Sequence, residues 1–377
     1  MALELDYAIV GGGLQGGLIA LAVRARQPTA RIAIVERGAA LGGNHTWCFH
    51  AGDVPETASW VKPLVVSRWS AYDVAFPGRR RQLPLPYALT TSRRLDACVR
   101  KVVDELWLGE TAVSVGAHRI STQARDVTAA VVIDARGPER AGAPRCGWQT
   151  FVGQEVRVPG HGLELPMVMD ATVPQRGAFT FMYALPISPD VLLLEDTAFA
   201  DSSYLDVEAG RRAITRYARA RGWTIERVIR EETGVLPLPL EVDGVAPAAE
   251  PAPPLAAGYA GGWFHPVTGY SFPIAARLAE VVATRPPAAL FGPALTRLAQ
   301  RHRAQLAFAT RLNRMLFGWF APNDRYHVLE RFYSLPEGVI RRFYALETTA
   351  LDRALIVAGR PPRRISWRAV ISGRRPS

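Results

Sequence analysis

The spacing of hydrophobic and polar positions changes several times along the chain, and each change predicts a different element. Tyr7-Ala8-Ile9-Val10 is a strand-length apolar run, small and apolar residues at Leu18, Ala20, Ala22 and Ala25 then suit a closely packed helix, and Arg31-Ile32-Ala33-Ile34-Val35-Glu36 reads as strand again. A further buried strand is expected at Ala129-Ala130-Val131-Val132-Ile133-Asp134, ending in a turn at Gly137. Residues 145 to 245 read mainly as antiparallel strands, with turn signals at Pro174, Gly177, Pro186, Pro189 and Pro237. A proline-rich connector at 246–254 precedes a last strand, loop and helix, and the remainder is predominantly helical. The pattern predicts an α/β chain with a doubly wound, Rossmann-like nucleotide domain built discontinuously from 1–50, 125–145 and 250–285. Substrate-binding segments at 51–124 and 146–249, an inserted antiparallel-sheet domain, and a helical region at 286–377 complete the expected partition.

The first βαβ unit carries chemistry. Its strand runs into G-x-G-x-x-G at Gly11, Gly13 and Gly16, which serve the tight turn, the approach of a phosphate, and close helix-strand packing. The helix N-terminus offers free N–H groups and partial positive charge to a pyrophosphate. Glu36 lies 20 residues beyond Gly16 and is the expected partner of a ribose 2′-hydroxyl. A second glycine-rich signature, Gly258 to Ser271, lies far along the chain, and its Pro266, Thr268, Gly269, Tyr270 and Ser271 precede another helix whose N–H groups are placed to meet phosphate or a flavin ring. Two such loops suggest a long dinucleotide across a discontinuous site, which fits FAD better than NAD. Asp134 and Gly137, at the end of their strand, fall on the same side. Gly43, Asn44 and His45 form a glycine-led loop expected to contact the cofactor or line a substrate tunnel. The spacing of His45, Cys48 and His50 lacks the second ligand pair of a zinc site, so no metal is expected.

At 377 residues the chain exceeds the size at which single cores stop growing. Three scattered cysteines suit a reducing cytoplasm, the acidic N-terminal residues do not suit a signal peptide, and no stretch reaches the ~18 apolar residues of a membrane span. The net charge of +11 is carried almost wholly by arginine. It is compatible with genomic base composition alone or with an anionic surface, and no nucleic-acid motif accompanies it. In the C-terminal third arginines alternate with aromatics, as in Arg311 to Phe320, Arg331-Phe332-Tyr333 and Ile340 to Tyr344. Interfacial helices have this pattern, and so do amphipathic helices packed on a core.

One strand suggests a reaction. Val191-Leu192-Leu193-Leu194 is wholly apolar and runs into Glu195 and Asp196, which must point to opposite faces. A carboxyl group at the edge of an apolar cavity stays protonated near neutrality and can act as a general acid. The alternative, that both acids cap the strand in solvent, stays open at this point.

The chain resembles the bacterial lycopene β-cyclases over nearly its whole length. The matching blocks are Gly42 to Trp47, Met169 to Val173, Leu194-Glu195-Asp196-Thr197, Phe264 to Ser271, Leu312 to Phe317 and Asp352 to Ile356. The resemblance implies an isomerase, an intramolecular lyase that converts lycopene through γ-carotene to β-carotene in a redox-neutral, proton-initiated cyclisation. It implies reduced FAD as a cofactor that is not consumed, with NAD(P)H as external reductant. Glu195 falls on the family's acid-base carboxylate and Asp196 on the second acid, where some relatives have glutamate. Related acyclic or monocyclic carotenoids are the implied substrates, and the inner face of the cell membrane is the implied location for a cytoplasmic, peripheral enzyme. The competing expectations are a flavin oxidoreductase acting on a polyisoprenoid, such as a hydroxylase or saturase, and a non-catalytic carotenoid-binding flavoprotein.

Overall fold

Strand Glu4–Val10 is apolar on both faces, so it is stable only in the middle of a covered sheet, and that is where it lies. The computed structural model describes residues 4–137, 145–358, 362 and 364–372. Residues 138–144 of the expected 125–145 segment, and 359–361, 363 and 373–377 of the expected helical region, lie outside the described residues.

The first sheet runs in the order Glu105–Leu108, Ile32–Glu36, Glu4–Val10, Asp126–Asp134, Arg119–Thr122, Ala112–Val115, with Leu255–Ala256 paired to Asp126–Asp134. Glu4–Val10 pairs in parallel with both of its neighbours, Ile32–Glu36 and Asp126–Asp134. Helix Leu14–Arg26 packs its small-residue face against helix Phe272–Ala283, and Ala20, Ala22, Ala275, Ala276 and Ala279 are buried at this interface side of the core. Residues 105–122 fall inside the span expected on the substrate side. Their three strands instead extend this first sheet, because Ile34 and Val35 pair with Leu106 and Trp107 while Ile120 pairs with Val127.

The second sheet runs in the order Arg227–Pro239, Cys146–Arg157, Val191–Ala200, Phe179–Ser188, Met167–Asp170, Tyr72–Phe76, Arg79–Leu83. It is antiparallel except where Met167–Asp170 meets Tyr72–Phe76. Helix Val207–Ala220 covers one face, an element hidden within the stretch expected as strands. Asp206 caps it by accepting from the Ala209 N–H at 2.9 Å, and Ile214 and Tyr217 pack on Val152, Val156, Leu192 and Leu194. A small third sheet, Thr46–His50 with Tyr87–Thr91 and Ser67–Trp69, lies where the two larger layers meet.

The C-terminal helices include Pro293–Trp319, Tyr326–Phe332 and Glu337–Tyr344. Phe317, Phe332, Tyr333 and Phe343 are buried there against the second sheet, and Phe320 is buried as well. Of the two readings open to the arginine-aromatic segments, these buried aromatics follow that of amphipathic helices packed on a core. Exposed apolar groups of this region are Leu351, Leu355 and Val357 on helix Ala350–Val357, and Trp367. Among the described residues no helix is long and apolar enough to cross a membrane.

Candidate functional site

A cavity of about 1150 Å³ runs from the first glycine loop to the face of the second sheet that carries Leu193 and Glu195. It exceeds the range of about 300–1000 Å³ usual for a drug-sized ligand. Its volume suits an elongated dinucleotide with a second molecule beyond it.

At the nucleotide end the backbone geometry explains each glycine. Gly11 has φ +101°, and a Cβ there would stand 2.6 Å from the Ala135 carbonyl oxygen, so the turn admits no side chain. A Cβ on Gly16 would meet the Gly11 carbonyl oxygen at 2.1 Å, which makes Gly16 the point of closest helix-strand contact. Gly13 lines the cavity and has nothing within 4 Å of where a Cβ would stand, leaving room for a phosphate beside the unpaired N–H groups of the first helical turn. Glu36 also lines the cavity, and its two oxygens accept from the Gly12 and Gly38 N–H groups, each at 2.7 Å. A carboxylate oxygen accepts more than one hydrogen bond, so Glu36 both braces the loop and retains capacity for a ribose hydroxyl. Gly43, His45 and Gly137 line the same space. These features fit a dinucleotide.

From the second signature Thr268, Gly269, Tyr270 and Ser271 reach the cavity, immediately before helix Phe272–Ala283. The Tyr270 hydroxyl donates to Asp53 Oδ2 at 2.7 Å and accepts from the His50 N–H at 2.9 Å. Four candidate cofactor residues do not line the cavity. Gly16 serves packing. Asn44 donates to the Glu231 carbonyl and accepts from Arg230, Asp134 is held by the Arg136 guanidinium at 2.7 Å, and the Pro266 carbonyl accepts from Asn313 at 2.7 Å. They shape the loops around the site.

At the other end the wall is one face of the second sheet, and the strand period of two chooses its residues. Tyr183 and Leu185, Leu193 and Glu195, and Gly234 and Leu236 alternate into the cavity from three strands. Glu195 lies in the middle of strand Val191–Ala200, not at its end, which removes the reading of a solvent cap. Its Oε1 accepts from the Thr197 hydroxyl at 2.6 Å. Burial, and then the nearby Glu232 carboxylate, push the Glu195 carboxyl up to about 8, against the opposing pull of Thr197 and Arg230. The group is therefore protonated at neutral pH and set among apolar neighbours.

Asp196 points to the opposite face, towards the helix Val207–Ala220 side, where the Arg176 guanidinium binds both its oxygens at 2.6 and 2.7 Å. The strand pleat thus separates the two acids, and Asp196 does not join Glu195 at the cavity. The second carboxyl that does is Glu232, 4% exposed. Nothing in the sequence reading singles it out; the available signal is the alternation Arg230, Glu232, Gly234, Leu236 along one edge strand.

A smaller cavity of about 50 Å³ adjoins, sharing Tyr87, Gln149, Tyr183, Thr268 and Tyr270 with the first. Its lining is largely aromatic, including His50, Tyr72, Phe181 and Tyr344. Electron-rich ring faces of this kind attract a cation.

The family model described as lycopene cyclase protein matches residues 6–369. The chain is 41% identical to a lycopene beta-cyclase of Pantoea ananas, over 95% of both chains. It is 39% identical to one from a Paracoccus species, over 95% of this chain and 94% of that one. Among solved structures, a geranylgeranyl bacteriochlorophyll reductase-like protein from Thermoplasma acidophilum superimposes with a TM-score of 0.63 at 13% identity, covering 99% of both chains. A flavin-dependent brominase reaches 0.65 at 13% identity, over 94% of this chain and 97% of that one. The structural likenesses establish the α/β fold shared with flavin enzymes, and the sequence matches establish the family: the chain belongs to the lycopene cyclases.

Proposed function

We propose that the protein is a lycopene β-cyclase whose acid is Glu195. The observation that carries this reading is the buried Glu195 carboxyl, pushed up to about 8 by burial and by Glu232, on the wall of a large, partly aromatic cavity that begins at a dinucleotide loop. Glu195 donates its proton to C2 of an acyclic ψ-end group, and C6 attacks the resulting C1 cation to close the ring. The C5 cation then loses the C6 proton, which Glu195 as a carboxylate takes back, so atoms and electrons balance without an oxidant. The sheet face excludes water that would trap the cation, and the rings of Tyr183, Tyr87 and Phe181 face the charge as it forms. Gly11, Gly13, Glu36, Gly43, His45, Gly137, Thr268, Gly269, Tyr270 and Ser271 hold FAD. Bound there and kept reduced by NAD(P)H, FAD would supply negative charge that stabilises a cation, without being consumed. Lycopene and its monocyclic intermediate reside in a bilayer, so the protein docks on a membrane surface to receive them.

Anaerobic incubation with lycopene in liposomes and chemically reduced FAD in D2O tests the reading. The expected product is cyclic, carries one deuterium at C2 of each ring, and forms without net flavin oxidation. A product formed in proportion to flavin oxidation would establish the hydroxylase or saturase alternative instead.

A further inference from the structure

Three strands place two carboxyl groups on either side of one missing side chain. Glu195 and Glu232 both stand opposite Gly153, on the strands flanking Cys146–Arg157, and both line the cavity. A Cβ on Gly153 would lie 3.2 Å from Glu232 Cγ and 3.3 Å from Glu195 Oε2. The space that any other residue would occupy is thus the space through which the two acids approach.

The charges around them do not balance if both are ionised. Glu232 Oε2 accepts from the Thr46 N–H and from Arg230 Nη1, each at 2.9 Å. Arg230 also reaches Glu155 at 3.4 Å, the Thr46 hydroxyl at 2.5 Å and Asn44 at 3.0 Å, so one guanidinium is divided between two carboxylates before Glu195 is counted. Glu231 is engaged elsewhere, by Arg211 and Gln154. The other groups acting on Glu195 are Thr197 and Asp196 from its own strand, with Asp196 on the far face. From neighbouring strands come Tyr183 and Cys48, and burial pushes both the phenol and the thiol upward, leaving them neutral.

We propose that Glu232 is a positioning residue for Glu195: across the gap at Gly153 the Glu232 carboxylate, paired with Arg230 at 2.9 Å, faces the Glu195 carboxyl and holds the proton on it. The pair then carries one negative charge at rest and two once the proton has moved to the substrate. That second charge faces the carbocation and draws the C6 proton back to Glu195. Like-charged carboxyls at close range cannot both ionise readily, which raises the affinity of one of them for a proton. The inference rests on the cyclase reading for its chemical consequence, but the effect of Glu232 on the Glu195 proton is a property of the protein without substrate.

The test uses full-length Glu232→Gln. Infrared difference spectra of the substrate-free protein, titrated with pH, follow the carbonyl stretch of the protonated carboxyl that disappears in Glu195→Gln. In Glu232→Gln that titration, and the alkaline limb of the cyclisation rate, are expected to move to lower pH by about one unit, the scale of a single nearby charge. The maximal rate at the acidic end is expected to fall as well, because Glu232→Gln removes the charge that faces the carbocation. If Glu232→Gln does not fold, Glu232→Asp retains the charge for Arg230 while withdrawing it from the gap, and a smaller shift in the same direction is expected. A Glu195 titration that stays at its wild-type position in the folded variant overturns the proposal. Wild-type protein that cyclises nothing at any pH overturns the cyclase reading instead, and leaves the infrared result to decide the carboxyl pair.

Discussion

If Glu195 is the acid of the proposed cyclisation, a single carboxyl group sets opposing demands on activity and stability in this protein. The Glu195 carboxyl is raised to about 8 by burial and by Glu232, whereas in the unfolded chain it ionises near the usual glutamate value of about 4.3. The unfolded state therefore releases this proton first, and Glu195 destabilises the fold progressively as pH rises from about 4 to about 8. Glu195→Gln removes that cost while keeping a partner for the Thr197 hydroxyl. The variant is expected to lose cyclisation by at least about 100-fold, the lower range for removing a general acid, and to melt higher than wild type, with the difference growing between pH 5 and pH 8. Product assays and thermal melts across that range check both halves; a lower melting temperature at pH 8 would contradict the linkage. The sequence displays Glu195 clearly, as an acid interrupting an apolar run, and strand alternation separates it from Asp196. Glu232 is not legible in the same way, because its relation to Glu195 exists only through the register of both strands on Gly153.

Elements explain why the nucleotide end can be read from the sequence and the substrate end only in part. The G-x-G-x-x-G unit is local: strand, turn and helix are consecutive, Gly16 answers a contact within the same βαβ unit, and Gly11 answers Ala135, just beyond the adjacent strand Asp126–Asp134. Gly16 and Gly13 separate packing from binding. Gly16→Ala drives a Cβ into the Gly11 carbonyl, and overpacking of this kind costs about 1–3 kcal/mol. It should lower the melting temperature and the flavin content of purified protein together. Gly13→Ala meets open space, so its melting temperature should stay at the wild-type value while its flavin content falls. Equal loss of stability in both variants, measured by melting and flavin absorbance, would refute this division. Helix Val207–Ala220 was harder to read because it lies between strands whose turn signals dominate the stretch, although Asp206 and its amphipathic pattern mark it. The strands of residues 105–122 are short, and nothing in their own pattern tells which sheet they join.

At the scale of the whole molecule, the proposed function requires a forty-carbon hydrocarbon to pass from a bilayer to Glu195 without a membrane-spanning helix among the described residues. The aromatics that alternate with arginine in the C-terminal third do not meet this requirement, since burial against the second sheet uses them as core; sequence periodicity shows an amphipathic helix but not what its apolar face meets. Apolar groups left outside include Leu351 and Leu355, one turn apart on helix Ala350–Val357, together with Val357 and Trp367. A helix that inserts its two exposed leucines gains about 1.5–3 kcal/mol for each large side chain withdrawn from water. Leu351→Glu combined with Leu355→Glu is therefore expected to weaken binding to anionic vesicles by at least about tenfold, since each 1.4 kcal/mol is one decade. Both side chains are exposed, so the fold and the turnover of detergent-delivered lycopene should be unchanged, and only turnover of vesicle-borne substrate should fall. Vesicle co-sedimentation equal to wild type would place the docking surface elsewhere on the protein, and a parallel loss with detergent-delivered substrate would mean that the substitutions act on the catalytic fold and not on membrane contact.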